Sequence, residues 1–218
     1  MKIVVLGATG NVGSRFATQA AQAGHDVIAF ARRPEAVPQQ KNVSVVQGAA
    51  EDTEALAAAA RGADAVVVSI TGKTSDATFM QDRLPGIIEA TKKAGVKRLL
   101  LVSVFGAGDT VEKASGFATL VYKVALGKFL ADKAAADEIL QASGLDWTIA
   151  YPVNLKDKKA LAETAAVKPL RAVAKVPGLP TLPMDNAAGA LLNIVTDPST
   201  VHERLLITTP NGWKPAAN

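Results

Sequence analysis

No cysteine occurs among the 218 residues, and histidine occurs only twice, as His25 and His202. The missing thiols exclude a disulfide scaffold, a thiol nucleophile and zinc–thiolate centres. Two histidines so far apart leave no His-rich cluster, so no metal site is expected. Aromatic residues make up only 5% of the chain, too few for a base-stacking platform. Long apolar runs are also missing. The start, MKIVVL, carries one basic residue and turns straight into glycines, which is too short for a signal-peptide core. Nothing approaches the roughly 18 apolar residues of a membrane span. Excess charge of one sign is small: 24 Lys+Arg against 20 Asp+Glu leave +4, and the basic residues are interleaved with acids. A cytoplasmic protein is expected, with no membrane and no nucleic-acid partner, as a monomer or small homo-oligomer.

What is present is alternation. Short β-branched runs at residues 3–6, 27–30, 43–46, 65–68 and 99–102 are each followed by a helical stretch or a turn. Helices are predicted over about 11–23, 53–60, 77–93, 116–142 and 186–195, the last with Asp185 as its N-cap. Further strands fall at 147–151 and 205–208. Apolar strands with little polar interruption, alternating with helices, indicate an α/β fold: a Rossmann-like, doubly wound parallel sheet with helices on both faces. Residues 105–113 read as a Gly-containing loop. Residues 153–184 hold six lysines and arginines and four prolines and show no strong period. The length fits one domain over 1–218, with a core to about residue 150. Residues 151–218 then form a small completing lobe on the substrate side.

The strongest motif is Gly7-Ala8-Thr9-Gly10-Asn11-Val12-Gly13, which follows the first strand and opens the first helix. In that context Gly7 permits the tight turn, Gly10 lets the backbone approach a pyrophosphate, and Gly13 lets the helix pack close to the strand. Thr9, Asn11 and Val12 belong to the same turn, and the helix N-terminus offers free N–H groups to phosphate oxygens. The second strand ends in Phe30-Ala31-Arg32-Arg33, where a cofactor without a 2′-phosphate would usually meet a carboxylate. A guanidinium forks onto a 2′-phosphate, so NADP(H) is expected over NAD(H), with Arg32 as the first clamp and Arg33 as the second. Gly72-Lys73-Thr74 imitates the end of a Walker A loop. That motif needs a glycine where this chain has Val67, so a triphosphatase is excluded. Thr71, Gly72 and Lys73 follow the fourth strand and are either cofactor contacts or an exposed turn. Tyr151-Pro152-Val153 leaves the sixth strand at the crevice, either beside the nicotinamide or as a proline-set loop.

GATGNVG, the basic end of strand two, VKRLLLVSVFGAG and ADKAAADEILQASGLDWTIAYPVNL together resemble the atypical short-chain dehydrogenase/reductases. The chain is most similar to their NAD(P)H-binding, NmrA-like group, which includes flavin/biliverdin-IXβ reductases and small quinone reductases. The resemblance spans residues 1 to about 208. It implies NADP(H) along the strand C-termini, and hydride transfer or cofactor sensing. Departures are informative. Tyr122 and Tyr151 are each followed four residues later by leucine, so the Tyr-x-x-x-Lys proton-handling set is absent from both. Strand five ends in Ser103-Val104 where the group often pairs two serines. Ala49 stands where the group often has an aspartate, leaving the backbone at Ala49 and Ala50 to meet the adenine.

The resemblance also implies a cleft-facing lysine at Lys133, which would hold a ribose hydroxyl or polarise an acceptor oxygen. The bland alternative is a solvated helix face shared by Lys128, Asp132, Lys133, Asp137 and Glu138. Ser103 either donates near the nicotinamide or satisfies its own strand end. Ser103 and Lys133 are the catalytic candidates. Such sparse acid–base equipment suits a hydride acceptor that needs little proton delivery, because a simple ketone would require it at the developing alkoxide. The expected activity is NADPH-dependent reduction of a flavin, a quinone or a similar conjugated small molecule. The alternative is a non-catalytic NADP(H) sensor. A sugar-nucleotide epimerase is disfavoured by the missing tyrosine.

Overall fold

The computed structural model describes residues 1–216, apart from the side chain of Lys123. The chain begins β1 Lys2–Leu6, α1 Asn11–Gln22, β2 Asp26–Ala31, β3 Val43–Gln47, α2 Thr53–Ala60, β4 Ala65–Val68, α3 Phe79–Lys93 and β5 Arg98–Val102. It continues α4 Gly116–Gln141, β6 Asp146–Pro152, β7 Asn154–Lys156, β8 Ala166–Pro169, β9 Val173–Lys175, β10 Thr181–Pro183, α5 Met184–Thr196, β11 Glu203–Thr208 and β12 Lys214–Pro215. The main sheet has the order β3-β2-β1-β4-β5-β6-β11-β8. Every neighbouring pair in it is parallel except β8, which runs antiparallel along β11. This is the doubly wound, Rossmann-like arrangement expected from the sequence.

The register matters for the site. Leu6 is level with Phe30 and Val68, and Val68 with Leu101, so the loops after β1, β2, β4 and β5 all open on one edge. The chain winds outward from β1 to β3, then crosses back to β4. The order therefore reverses between β1 and β4, where such sheets bind ligands.

Helices α1 and α5 pack together on one face, and α2, α3 and α4 pack in series on the other. Small buried residues bring the first pair close: Ala17, Ala20 and Ala21 of α1, and Ala187, Ala188 and Ala190 of α5. Strands β4 and β5 are buried throughout, as expected of strands covered on both faces. At the edge away from the open loops, Arg98 is itself buried. Its guanidinium donates to Asp146 O at 3.1 Å, Thr148 Oγ1 at 2.6 Å, Ile194 O at 3.0 Å and Thr200 Oγ1 at 2.8 Å. Burial pulls its pKa down, while the nearby Asp146 and Asp197 charges oppose that.

Three sequence expectations change. Helix α5 begins at Met184 with Pro183 at its N-cap, so Asp185 lies in the first turn and not at the cap. Strand β10, paired in parallel with β7, runs directly into that helix and leaves no room for an Asp185-capped entry. The segment 153–184, without a period in sequence, contains four short strands, each held by one distant partner, and single-edge pairing imposes no alternation. The supposed solvated face of α4 is also overturned for Asp132, Lys133 and Asp137, all of which are buried. Lys128 and Glu138 alone of that group are exposed. Asp132 accepts from the backbone N–H of Met80 at 3.0 Å and of Gln81 at 3.1 Å, capping α3 from a neighbouring helix.

Candidate active site

The turn after β1 explains two of its glycines by contact. Gly7 has φ +92°, and a Cβ there would lie 2.2 Å from Ser69 O; a Cβ on Gly13 would lie 2.2 Å from Gly7 O. The first position needs a left-handed backbone. The second lets α1 press against the turn. Helix α1 starts with no side-chain cap and no acidic residue in its first turn, so its first N–H groups and positive dipole end stay available to an anion.

Two cavities meet at this turn and share Gly10, Ser69, Ile70 and Thr71. The smaller, about 200 Å³, runs toward the ends of β2 and β3 and is lined by Gly7, Thr9, Arg32, Ala50, Glu51, Phe79 and Arg83. The larger, about 360 Å³, runs toward β5 and β6. Its walls are Asn11, Val12, Val102, Ser103, Val104, Phe129, Lys133, Pro152, Val153, Asn154, Leu155 and Met184. Together they form one crevice along the strand C-termini.

The larger cavity is mostly apolar, with a few polar groups converging on it. Lys133 is only 2% exposed, and its Nζ donates to Ile70 O at 3.2 Å. Burial lowers its pKa to about 8, against the opposing charges of Asp137 and Asp132. Ser103 Oγ donates to Asp137 Oδ2 at 3.2 Å. Burial raises the Asp137 carboxyl to about 7, opposed by hydrogen bonding from Ser103 and Tyr151 and by the Lys133 and Arg204 charges.

Most of the sequence-derived candidates come together on this crevice: Gly7, Thr9, Gly10, Asn11, Val12, Arg32, Ala50, Thr71, Ser103, Lys133, Pro152 and Val153. Gly13 lies beneath the turn. Others sit apart from the described walls. Arg33 is exposed at the entry to a one-turn 3₁₀ helix, where its carbonyl accepts from Ala36 N. The Ala49 carbonyl is taken by Asp52 N in the turn before α2. Gly72 packs against the Phe79 ring, which a Cβ would meet at 2.6 Å, and Lys73 extends from an exposed turn. Tyr151 is buried behind the wall, its hydroxyl accepting from Arg204 Nε at 3.1 Å.

Several wall residues escaped the sequence reading. Arg83 lies over the Phe79 ring at 4.0 Å and pairs with Glu51 at 2.6 Å. Its position on α3 carries no local motif. Phe129 did leave a signal: it stands four residues before Lys133, the place where Tyr-x-x-x-Lys would put its tyrosine. The signal lies upstream of the lysine, not downstream of either tyrosine.

Residues 7–198 match a family model described as NAD(P)H-binding. A protein of Bacillus subtilis described as the uncharacterized sugar epimerase YhfK is 31% identical over 183 residues, covering 78% of this chain and 79% of that one. A short-chain dehydrogenase/reductase from Veillonella parvula, solved in complex with NADP, aligns with a TM-score of 0.80 at 16% identity over 98% of this chain and 96% of that one. ChuY from Escherichia coli, described as an anaerobillin reductase, aligns with a TM-score of 0.78 at 24% identity over 99% and 100%. At these identities the two structural likenesses speak for the fold.

Proposed function

The chain belongs to the NAD(P)H-binding family, and from that premise we propose that it is an NADPH-dependent reductase of a flavin, a quinone or a similar conjugated acceptor. The glycine turn fits a dinucleotide: a side chain at Gly7 or Gly13 would strike backbone, and the open α1 N-terminus suits a pyrophosphate. In this reading Gly7, Thr9, Gly10, Asn11 and Val12 cradle the phosphates, with Gly13 packing beneath them. Arg32, exposed at the end of β2 on the smaller cavity, forks onto a 2′-phosphate and favours NADP(H) over NAD(H). Arg33 is close enough in sequence to add charge there. Ala50 and the Phe79–Arg83 stack flank the adenine, with Ala49, Gly72 and Lys73 as supporting turn residues. Thr71, Pro152 and Val153 border the nicotinamide half, and Tyr151 backs it.

When bound, the dihydronicotinamide supplies a hydride. The protein's own residues then orient the acceptor and exclude water. Val102, Val104, Phe129, Leu155 and Met184 offer apolar walls to a flat ring system, and Ser103 and Lys133 are polar groups on the same lining. The observation that carries this reading is Phe129 four residues before Lys133, on the wall of the same cavity. It leaves no phenolic acid at that position, so the acceptor must take a hydride without one. The test is calorimetric titration with NADPH and NADH, followed by NADPH oxidation against a panel of flavins, quinones and, because of ChuY, anaerobilin. Preferential NADPH binding with turnover of at least one conjugated acceptor is expected. Tight NADPH binding with no acceptor reduced would replace this reading with the sensor.

A further inference from the structure

Behind the wall of the larger cavity lies a carboxyl that is not among the residues lining it. Asp137 follows Lys133 by one turn of α4 and is 4% exposed. Its Oδ2 accepts from Ser103 Oγ at 3.2 Å, and its Oδ1 is buried with no hydrogen-bond partner among the described residues. Tyr151 interacts with it from β6. The Tyr151 hydroxyl already accepts from Arg204 Nε, so its own hydrogen is free to turn toward Asp137. Charge reaches Asp137 from two sides, Lys133 on α4 and Arg204 on β11. Arg204 is in turn held by Asp109, with Nη1 to Oδ2 at 2.9 Å.

With Oδ1 unpartnered, burial outweighs the Ser103 and Tyr151 bonds and the nearby charges, and the neutral acid is favoured. The two forms set Ser103 differently. The carboxylate can only accept, so the Ser103 hydroxyl points inward to it. The acid has an O–H of its own, which can donate to Ser103 Oγ and free the serine hydrogen to point into the cavity that Ser103 lines.

We propose that Asp137 is the proton-holding residue of this cleft, turning the Ser103 hydroxyl outward when neutral and passing a proton through it to the acceptor. This rests on the reductase reading. The acceptor gains a hydride from NADPH and a proton from Ser103 Oγ. Ser103 regains a proton from Asp137, whose O–H bond breaks to leave the carboxylate beside the Lys133 ammonium. Solvent then restores the Asp137 proton. The sum is acceptor + NADPH + H⁺ → reduced acceptor + NADP⁺. Asp137 acts through Ser103 and is a positioning residue.

Two readouts on the full chain test it: carboxyl NMR of protein labelled with ¹³C-aspartate, and the pH profile of single-turnover NADPH oxidation. One aspartate signal, missing in Asp137→Asn, should titrate near 7, and Ser103→Ala should move its midpoint upward because the serine bond favours the carboxylate. The wild-type rate should fall about tenfold per pH unit above that midpoint. Asp137→Asn should lose this dependence and run about 10²-fold slower at pH 6, a typical general-acid contribution. If Asp137→Asn does not fold, Ser103→Ala, which should shift the carboxyl and flatten the profile together, decides instead. Turnover with an unchanged profile in the variants, or a carboxyl titrating in the ordinary range, overturns the proposal and leaves the reductase reading standing. No turnover with any acceptor, while the carboxyl still titrates near 7, overturns the reductase reading and proton delivery with it.

Discussion

Arg32 and Asp137 show how differently single residues announce themselves. Arg32 directly follows β2 (Asp26–Ala31), where a 2′-phosphate clamp is expected, so the role proposed for it follows from spacing. Replacing it with alanine should weaken NADPH binding by about 10–100-fold through lost charge-assisted bonds. NADH binding should stay within about twofold, as titration of both cofactors will check. Asp137 carries no such signal. In sequence it is one charge among Lys128, Asp132, Lys133 and Glu138, and only the packing of α4 against α3 and β6 decides which of these is buried. Burial raises its pKa to about 7, which has a consequence for stability. The native state keeps this proton where the unfolded chain has released it, so the stability it contributes is complete below the ordinary carboxylate range. That stability is lost as pH rises through about 7. Asp137→Asn removes this dependence. Its melting temperature relative to wild type should therefore rise between pH 5 and pH 8 by a few degrees, at about 2–4 °C per kcal/mol for a domain of this size. Scanning calorimetry at the two pH values checks the sign.

Elements were more legible than residues, because periodicity survives without contacts. The strands of the first half and the glycine turn that opens α1 stand in the sequence nearly where the structure has them. What could not be read depends on partners far along the chain. Strands β7 to β10 are short, and each is fixed by pairing, β7 with β10, β8 with β11 and β9 with β12, so no local pattern marks them. The start of α3 was expected near Ala77 and lies at Phe79. Its cap comes from Asp132 on another helix, which no local capping rule could supply. That cap gives a prediction of its own. Asp132→Ala leaves the N–H groups of Met80 and Gln81 without their acceptor and should cost about 1–3 kcal/mol. Asp132→Asn, which keeps a carbonyl oxygen, should cost less. Because Phe79 and Arg83 line the smaller cavity, the alanine variant should also loosen NADPH binding, a loss that chemical denaturation paired with cofactor titration will resolve.

At the scale of the whole molecule, the fold explains why so little polar equipment serves the site. The strand order reverses between β1 and β4, which places the glycine turn, the Ser69–Thr71 loop and the end of β5 along one crevice. Arg98 ties β5, β6 and α5 together at the opposite edge, so the polar network that stabilises the sheet is separate from the groups that face the crevice. The modest +4 balance matters locally: Arg32 and Lys133 bring positive charge to opposite ends of a cleft suited to an anionic cofactor. On the proposed reading the cofactor carries the chemistry while the protein supplies shape, orientation and one proton. Single-turnover stopped flow tests this directly, following NADPH absorbance on this chain with a saturating flavin or quinone, and repeating the measurement with NADPH deuterated at C4. Saturable oxidation that slows several-fold with the deuterated cofactor is the predicted result. Bound NADPH that persists unchanged with every conjugated acceptor would contradict the account.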